Sequence, residues 1–272
     1  MIPDELCHYT TRETALEKIL STKKIKMSNL GLTNDPKESK SRQEIIIADI
    51  DKQIRRKIFL INKRAEKIRK DEWKVFCLTK SLPKLKNENR ENIYRNYFTP
   101  GYSRPRMWAQ YAENHSGVCL VFNGERLSKT FDSLLNKKYI IFHGSVCYEN
   151  YDVVPSKVID YSNIEKLGLT EAIRKFYYDN FEYYFLSKHS DWRDETEYRW
   201  LFYNPTKGKM DEFINIEGAL TAVIVGIDFP QVYEPSLKAL CKDLNIPAGK
   251  MKWENGVPVP NLEKIYNPLE DG

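Results

Sequence analysis

Several short apolar runs, each closed off by polar residues, constrain this chain more than any other feature of its sequence. Lys74–Thr79 (KVFCLT), Gly117–Phe122 (GVCLVF) and Ala222–Ile227 (AVIVGI) have the length and the β-branched or aromatic content of buried strands, and all are too short for a buried helix. Glu195–Tyr203 reads the same way, and Leu6–Thr10, Lys24–Ser28, Ile140–Tyr148 and Lys250–Trp253 are weaker strands. Between them lie segments with helical spacing. These are Thr11–Leu20, capped by Thr10 or Thr11, then Met107–Asn114, Ile164–Lys188 and Gln231–Leu244. The inner face of Ile164–Lys188 reads as Ile173, Tyr177, Phe181, Tyr184 and, one turn on, Lys188. Strands and helices mix without strict βαβ order, so the expected class is α+β with a mainly antiparallel sheet.

At 272 residues the chain sits near the upper limit of what one core organises, and a single domain spanning 1–272 is expected. An aromatic content of 12% argues against bulk disorder. No stretch approaches the roughly 18 apolar residues of a membrane span, and no leader-like start is visible, so a cytoplasmic protein is expected. The five cysteines lie far apart, four of them inside apolar runs, and read as reduced core residues. No paired Cys/His spacing argues for a metal, and none is expected. The glycine signatures of a dinucleotide-binding Rossmann unit, a P-loop and an α/β-hydrolase elbow are missing as well.

Charge is unevenly placed. Residues 51–106 carry seventeen basic and six acidic side chains, whereas residues 107–272 carry eighteen and twenty-four. The basic stretch opens on an amphipathic helix, Gln43–Lys70, with Ile47, Ile50, Ile54, Ile58, Ile61, Ala65 and Ile68 on one face. Its polar face includes Arg55, Arg56 and Lys57, and an Asn-rich loop with Tyr94, Tyr97, Phe98 and Tyr102 follows. Residues 43–106 therefore read as a helical and loop insertion that projects between the second and third strands. It is either a phosphate-binding footprint for nucleic acid or a solvated face.

Four constellations join polar groups to apolar surroundings. His8-Tyr9-Thr10 ends a strand and enters a helix, where free N–H groups suit a phosphate or ribose oxygen. Asn34-Asp35-Pro36 is chemically a turn. Trp108, Tyr111 and His115 fall on one helical face, as a core anchor or an aromatic wall. In the run from Lys188 through Trp192 to Arg199, strand alternation turns Glu195, Glu197 and Arg199 to one side. That set is a surface ladder or a site in which Arg199 keeps one carboxylate charged.

Taken in order, His8-Tyr9-Thr10, Asn34-Asp35-Pro36, Phe76-Cys77-Leu78-Thr79, Trp108-x-x-Tyr111-x-x-x-His115-x-Gly117, Lys188 and Trp192-x-x-Glu195-x-Glu197-x-Arg199 resemble a bacterial family known only as a domain of unknown function, over residues 6 to about 203. More loosely, His8-Tyr9-Thr10 followed by the helix with Ala15, Leu16, Ile19 and Leu20 resembles the opening of ADP-ribosyltransferases, whose later Glu-x-Glu would be Glu195-Thr196-Glu197. This second resemblance implies a split, mainly antiparallel sheet and an enzyme that cleaves NAD and passes ADP-ribose to a nucleic acid or protein acceptor, without a metal. It implies that His8 bonds an NAD ribose hydroxyl, that Tyr9 or Tyr111 stacks on a ring, and that Glu197 binds the nicotinamide ribose with Glu195 beside it. Thr10, Asn34, Trp108, His115, Lys188, Trp192 and Arg199 complete the expected cofactor site. The middle motif falls to Tyr111, Thr79 or Tyr102. Between the carboxylates, the expectation is that Glu197 carries the chemistry because Glu195 stands at a loop edge open to water. A non-catalytic nucleic-acid-binding module and a nuclease with carboxylate-held metal are the rival readings. A toxin, a phage-defence effector and a housekeeping enzyme are all compatible with the resemblance.

Overall fold

The computed structural model describes residues 2–33, 35, 52–86, 95–134, 139–150, 157, 159, 161–206, 211–259 and 262–271, with backbone alone at 32, 52–56 and 161. In chain order the strands are β1 (Glu5–Thr10), β2 (Lys24–Lys26), β3 (Ser28–Asn29), β4 (Trp73–Lys80), β5 (Val118–Asn123), β6 (Ile140–Ser145), β7 (Cys147–Glu149), β8 (Ser187–His189), β9 (Glu197–Tyr203), β10 (Phe213–Asn215), β11 (Leu220–Val225), β12 (Ala248–Lys250), β13 (Trp253–Glu254), β14 (Val257–Pro258) and β15 (Glu263–Tyr266). The helices are a π-helix at Thr14–Leu20, then α1 (Lys52–Glu72), α2 (Pro105–Tyr111), α3 (Gly124–Asp132), α4 (Tyr161–Leu167), α5 (Leu169–Asp179), α6 (Phe181–Phe185) and α7 (Glu234–Leu244). The main sheet runs β15-β12-β11-β5-β1-β4-β9-β6, with β3 also on β4. Every pairing in it is antiparallel except β11 with β12. The α+β, mainly antiparallel reading therefore stands.

Both faces of the central strands are covered, which is why β9 (EYRWLFY) is buried at every position and β4 (WKVFCLTK) at nearly every one. On one face, Phe76, Leu78, Leu120, Phe122, Trp200 and Phe202 pack beneath the π-helix, α3 and α7. On the other face there are two separate packings. Trp73, Val75, Leu201 and Tyr203 meet α1, α5 and α6, whereas Cys7, Tyr9, Cys119 and Val121 meet α2. The seam between these two packings is where the polar residues of the sheet collect.

Two expectations change here. The basic helix does not project: Ile61, Ala65 and Ile68 of α1 are buried against Ile173 and Tyr177 of α5, and Arg64 donates to Thr170 Oγ1 at 3.2 Å. The helix expected over Ile164–Lys188 is three helices followed by a strand. Gly168, at φ +78°, divides the first two, and Asn180 the next. Lys188 consequently lies on β8, paired with Tyr148 of β7, and not on a helical face.

Candidate functional site

The sheet forks. β1 meets β4 at Leu6 with Lys80 and at Cys7 with Thr79, and the ladder stops there, although β1 continues to pair with β5 through Thr10 and β4 with β9 along its length. A cavity of about 930 Å³ opens at this fork. Its walls include Cys7 and Tyr9 but also His8, and Cys77 and Thr79 but also Phe76 and Leu78. Successive residues of a strand point to opposite faces, so the cavity passes through the sheet and does not lie on one side of it. That volume is at the upper end of small-molecule and cofactor sites.

From the β1 prong, the His8 ring lies 5.3 Å from the Phe76 ring, and its Nδ1 is 3.1 Å from the carbonyl oxygen of Cys77. A carbonyl can only accept, so Nδ1 carries the proton and Nε2 keeps a lone pair. Burial also lowers the pKa of this ring, against the opposing pull of the Cys77 carbonyl. His8 is therefore a neutral ring with an acceptor nitrogen.

The other prong carries a buried ionic cluster in the seam. Glu197 accepts from Arg199 Nε at 2.6 Å and from Arg199 Nη2 at 3.0 Å, with Lys188 Nζ at 2.8 Å from its Oε2. Lys188 Nζ also reaches Glu195 Oε2 at 2.7 Å, and Glu195 Oε1 accepts from the Tyr111 hydroxyl at 2.6 Å. Arg199 is fully buried and gives its remaining arm to the carbonyl of Phe185. Burial alone would raise the Glu197 pKa, but Arg199 and Lys188 outweigh it and hold the group down to about 2. Its backbone is fixed too, since its N–H donates to the Tyr148 hydroxyl at 2.8 Å and its carbonyl accepts from Val146 N–H.

Several expectations are corrected by this geometry. Glu195 is not on the strand: it closes a 3-10 turn, Ser190–Glu195, and Thr196 is left-handed at φ 45° and ψ 47°, which breaks the alternation between the two glutamates. Nor is Glu195 open to water, being 3% exposed against 4% for Glu197. His8 and Glu197 share the cavity, with β4 running between their strands. Trp108 is wholly buried, edge-on to Tyr9 with its indole N–H on the Tyr102 carbonyl, so it is a core anchor. Tyr9, Tyr111, Lys188 and Arg199 do border the cavity, as does Thr79, whereas Tyr102, Thr10, His115 and Trp192 are not among its lining residues. His115 instead turns edge-on to Trp253, and Trp192 lies beside Lys188 and Arg106. Asn34 and the side chains of Arg55 and Arg56 lie outside the described residues, and Lys57 is exposed on α1. Sequence reasoning quoted Phe76 only within a motif block and missed Tyr148 and the cavity lysines Lys18, Lys24 and Lys26. Only the Lys-rich approach to β2 gave any local signal of them.

Residues 107–200 match a family model described as a protein of unknown function (DUF2971). This stretch carries a DUF2971 domain. It holds Tyr111, Lys188, Glu195, Glu197 and Arg199 but not His8, and it is shorter than the span over which the sequence blocks suggested a resemblance. No curated protein and no solved structure matches the chain. Among the described residues no helix is long and apolar enough to cross a membrane.

Proposed function

We propose that the cavity binds NAD and that the chain cleaves its nicotinamide–ribose bond in the manner of an ADP-ribosyltransferase, with a nucleic acid or protein as acceptor. One observation carries the reading: a through-sheet cavity in which a neutral His8 on one prong and a buried carboxylate pair on the other face the same ligand space. Lys18, Lys24 and Lys26 border the cavity on the π-helix side; Lys18 is paired with Glu13 and Lys26 with Asp211, each at 2.7 Å, so a pyrophosphate there would exchange these largely exposed carboxylates for its own oxygens. The apolar ring face of Phe76 beside His8 suits a base or a ribose edge.

Bond cleavage develops positive charge on the ribose while neutral nicotinamide leaves, so a carboxylate that cannot move or protonate favours the transition state over the ground state. Glu197 is such a group, clamped by Arg199 and Lys188. With two carboxylates and two cations the cluster has no net formal charge, so its effect depends on orientation and not on overall field. The metal-nuclease alternative fits less well, because Lys188, Arg199 and Tyr111 already occupy both carboxylates, and among the described residues no group of acidic, His or Cys side chains is placed to hold an ion. The exposed basic face of α1, with Lys57, Lys63 and Lys67, is a surface that a polyanionic acceptor would favour.

The test is nicotinamide release by the full chain with saturating NAD. Release is expected from the wild type, and Glu197→Gln, assayed where it remains folded, should slow it about a hundredfold, equivalent to about 3 kcal/mol. A wild type that releases no nicotinamide overturns the proposal.

A further inference from the structure

The side of the cavity away from the carboxylate cluster is walled by elements with no part in bond cleavage. The π-helix supplies Glu17 and Lys18, and a separate two-stranded ribbon, β2 with β10, supplies Lys24, Lys26 and Phe213. Both strands of the ribbon run exposed, buried, exposed. Ile25 and Ile214 turn inward to the core, so Lys24, Lys26, Phe213 and Asn215 share the outer face. The register sets Phe213 opposite Lys26 and Asn215 opposite Lys24. Lys24 is therefore the diagonal neighbour of Phe213, about 7–8 Å away across the ribbon.

A single exposed aromatic is ordinary on a protein surface. Phe213 differs in its place: the side chain is 51% exposed and borders the cavity, beside two lysines that border it too. Those lysines are not equivalent. Lys26 already holds Asp211 at 2.7 Å, as Lys18 holds Glu13, whereas Lys24 is exposed and among the described residues no acidic side chain pairs with it. Glu17 is the only carboxylate among the described lining residues on this side, an acceptor for hydroxyl or amino donors. An apolar ring face, an unengaged ammonium one diagonal away and an acceptor carboxylate complement a base, its phosphates and its hydroxyls.

We propose that Phe213 and Lys24 form an adenylate subsite at the rim of the cavity, with the purine stacked on the Phe213 ring and the phosphates paired with Lys24. This rests on the NAD-cleaving reading and assigns the half of the dinucleotide that does not react. Both residues lie outside the stretch that carries the DUF2971 domain. Contacts to that remote half supply binding energy that holds the reacting ribose in place.

ADP, which has the base and phosphates but no bond to cleave, tests the subsite by calorimetric titration of the full chain. It should bind the wild type. Phe213→Ala should weaken ADP about tenfold, the scale of one lost base–aromatic stack, while Phe213→Trp, which keeps a stacking face, should stay within about threefold of wild type. Lys24→Gln should weaken ADP about fivefold, and less as salt is raised. Both side chains are exposed, so the fold should survive each change. A wild type that does not bind ADP overturns the subsite. So does ADP affinity unmoved by Phe213→Ala, or lost equally in Phe213→Ala and Phe213→Trp, and an unmoved Lys24→Gln overturns the phosphate contact. ADP held through Phe213 by a chain that releases no nicotinamide from NAD supports the subsite and brings down the cleavage reading alone.

Discussion

At the residue scale, Glu197 shows how a carboxylate can be structural and chemical at once. Its partner, Arg199, is fully buried and spends two nitrogens on this one side chain. Breaking a buried pair from one side leaves an uncompensated charge, which costs about 3–5 kcal/mol. Glu197→Gln should therefore lower the free energy of unfolding by that amount at neutral pH, as read by urea denaturation. The native pKa of about 2 lies below the ordinary 4.5, so the contribution is complete above pH 4.5 and is lost as pH falls from there through 2. The gap between wild type and variant should narrow over the same interval. A pH-independent gap would mean that the charge is not what holds this residue.

At the scale of elements, most strands were legible because a short apolar run between polar residues has few other uses, and β4, β5, β9 and β11 lie within a residue or two of their expected positions. The longest helix misled for a related reason. Helical periodicity survives the breaks at Gly168 and Asn180, since Ile173, Tyr177 and Tyr184 still reach one core, and periodicity reports the buried face without reporting continuity. The Glu-x-Glu pair failed in the opposite sense: strand alternation was assumed through Thr196, whose left-handed backbone carries Glu195 out of the strand and back to the same cluster by way of Lys188. Gly168 gives the element-scale prediction. Its φ of +78° with ψ of 156° is open to glycine, and among the described residues nothing lies within 4 Å of an added Cβ. Gly168→Ala should then cost about 1–3 kcal/mol from backbone strain. Thermal unfolding that shows no change, or a loss well beyond that range, would mean that the junction between α4 and α5 is set by something other than backbone handedness.

At the scale of the whole molecule, what no local pattern could reveal is the fork, because it depends on where two strands sixty residues apart stop pairing. The half-sheet from β15 to β1 and the half-sheet from β4 to β6 are joined in the ladder at Leu6 with Lys80 and Cys7 with Thr79, a short seam beside the extended pairing of β4 with β9. The cavity lies along this seam, and its lining comes from both halves. A ligand seated there adds contacts across a short join of the sheet, so its binding energy should appear as resistance to separation of the two halves. NAD at a hundred times its dissociation constant should stabilise the native state by about 2.7 kcal/mol. Amide hydrogen exchange locates that gain: slowing should concentrate at Cys7–Thr10 and Phe76–Thr79 and be least at β12 and β15, which lie far along the sheet from the fork. If NAD raises the melting temperature but protects β12 and β15 as strongly as the seam, it binds elsewhere. If an oligonucleotide stabilises the chain and NAD does not, the cavity is not a dinucleotide site, and the basic face of α1 becomes the surface that defines what this protein does.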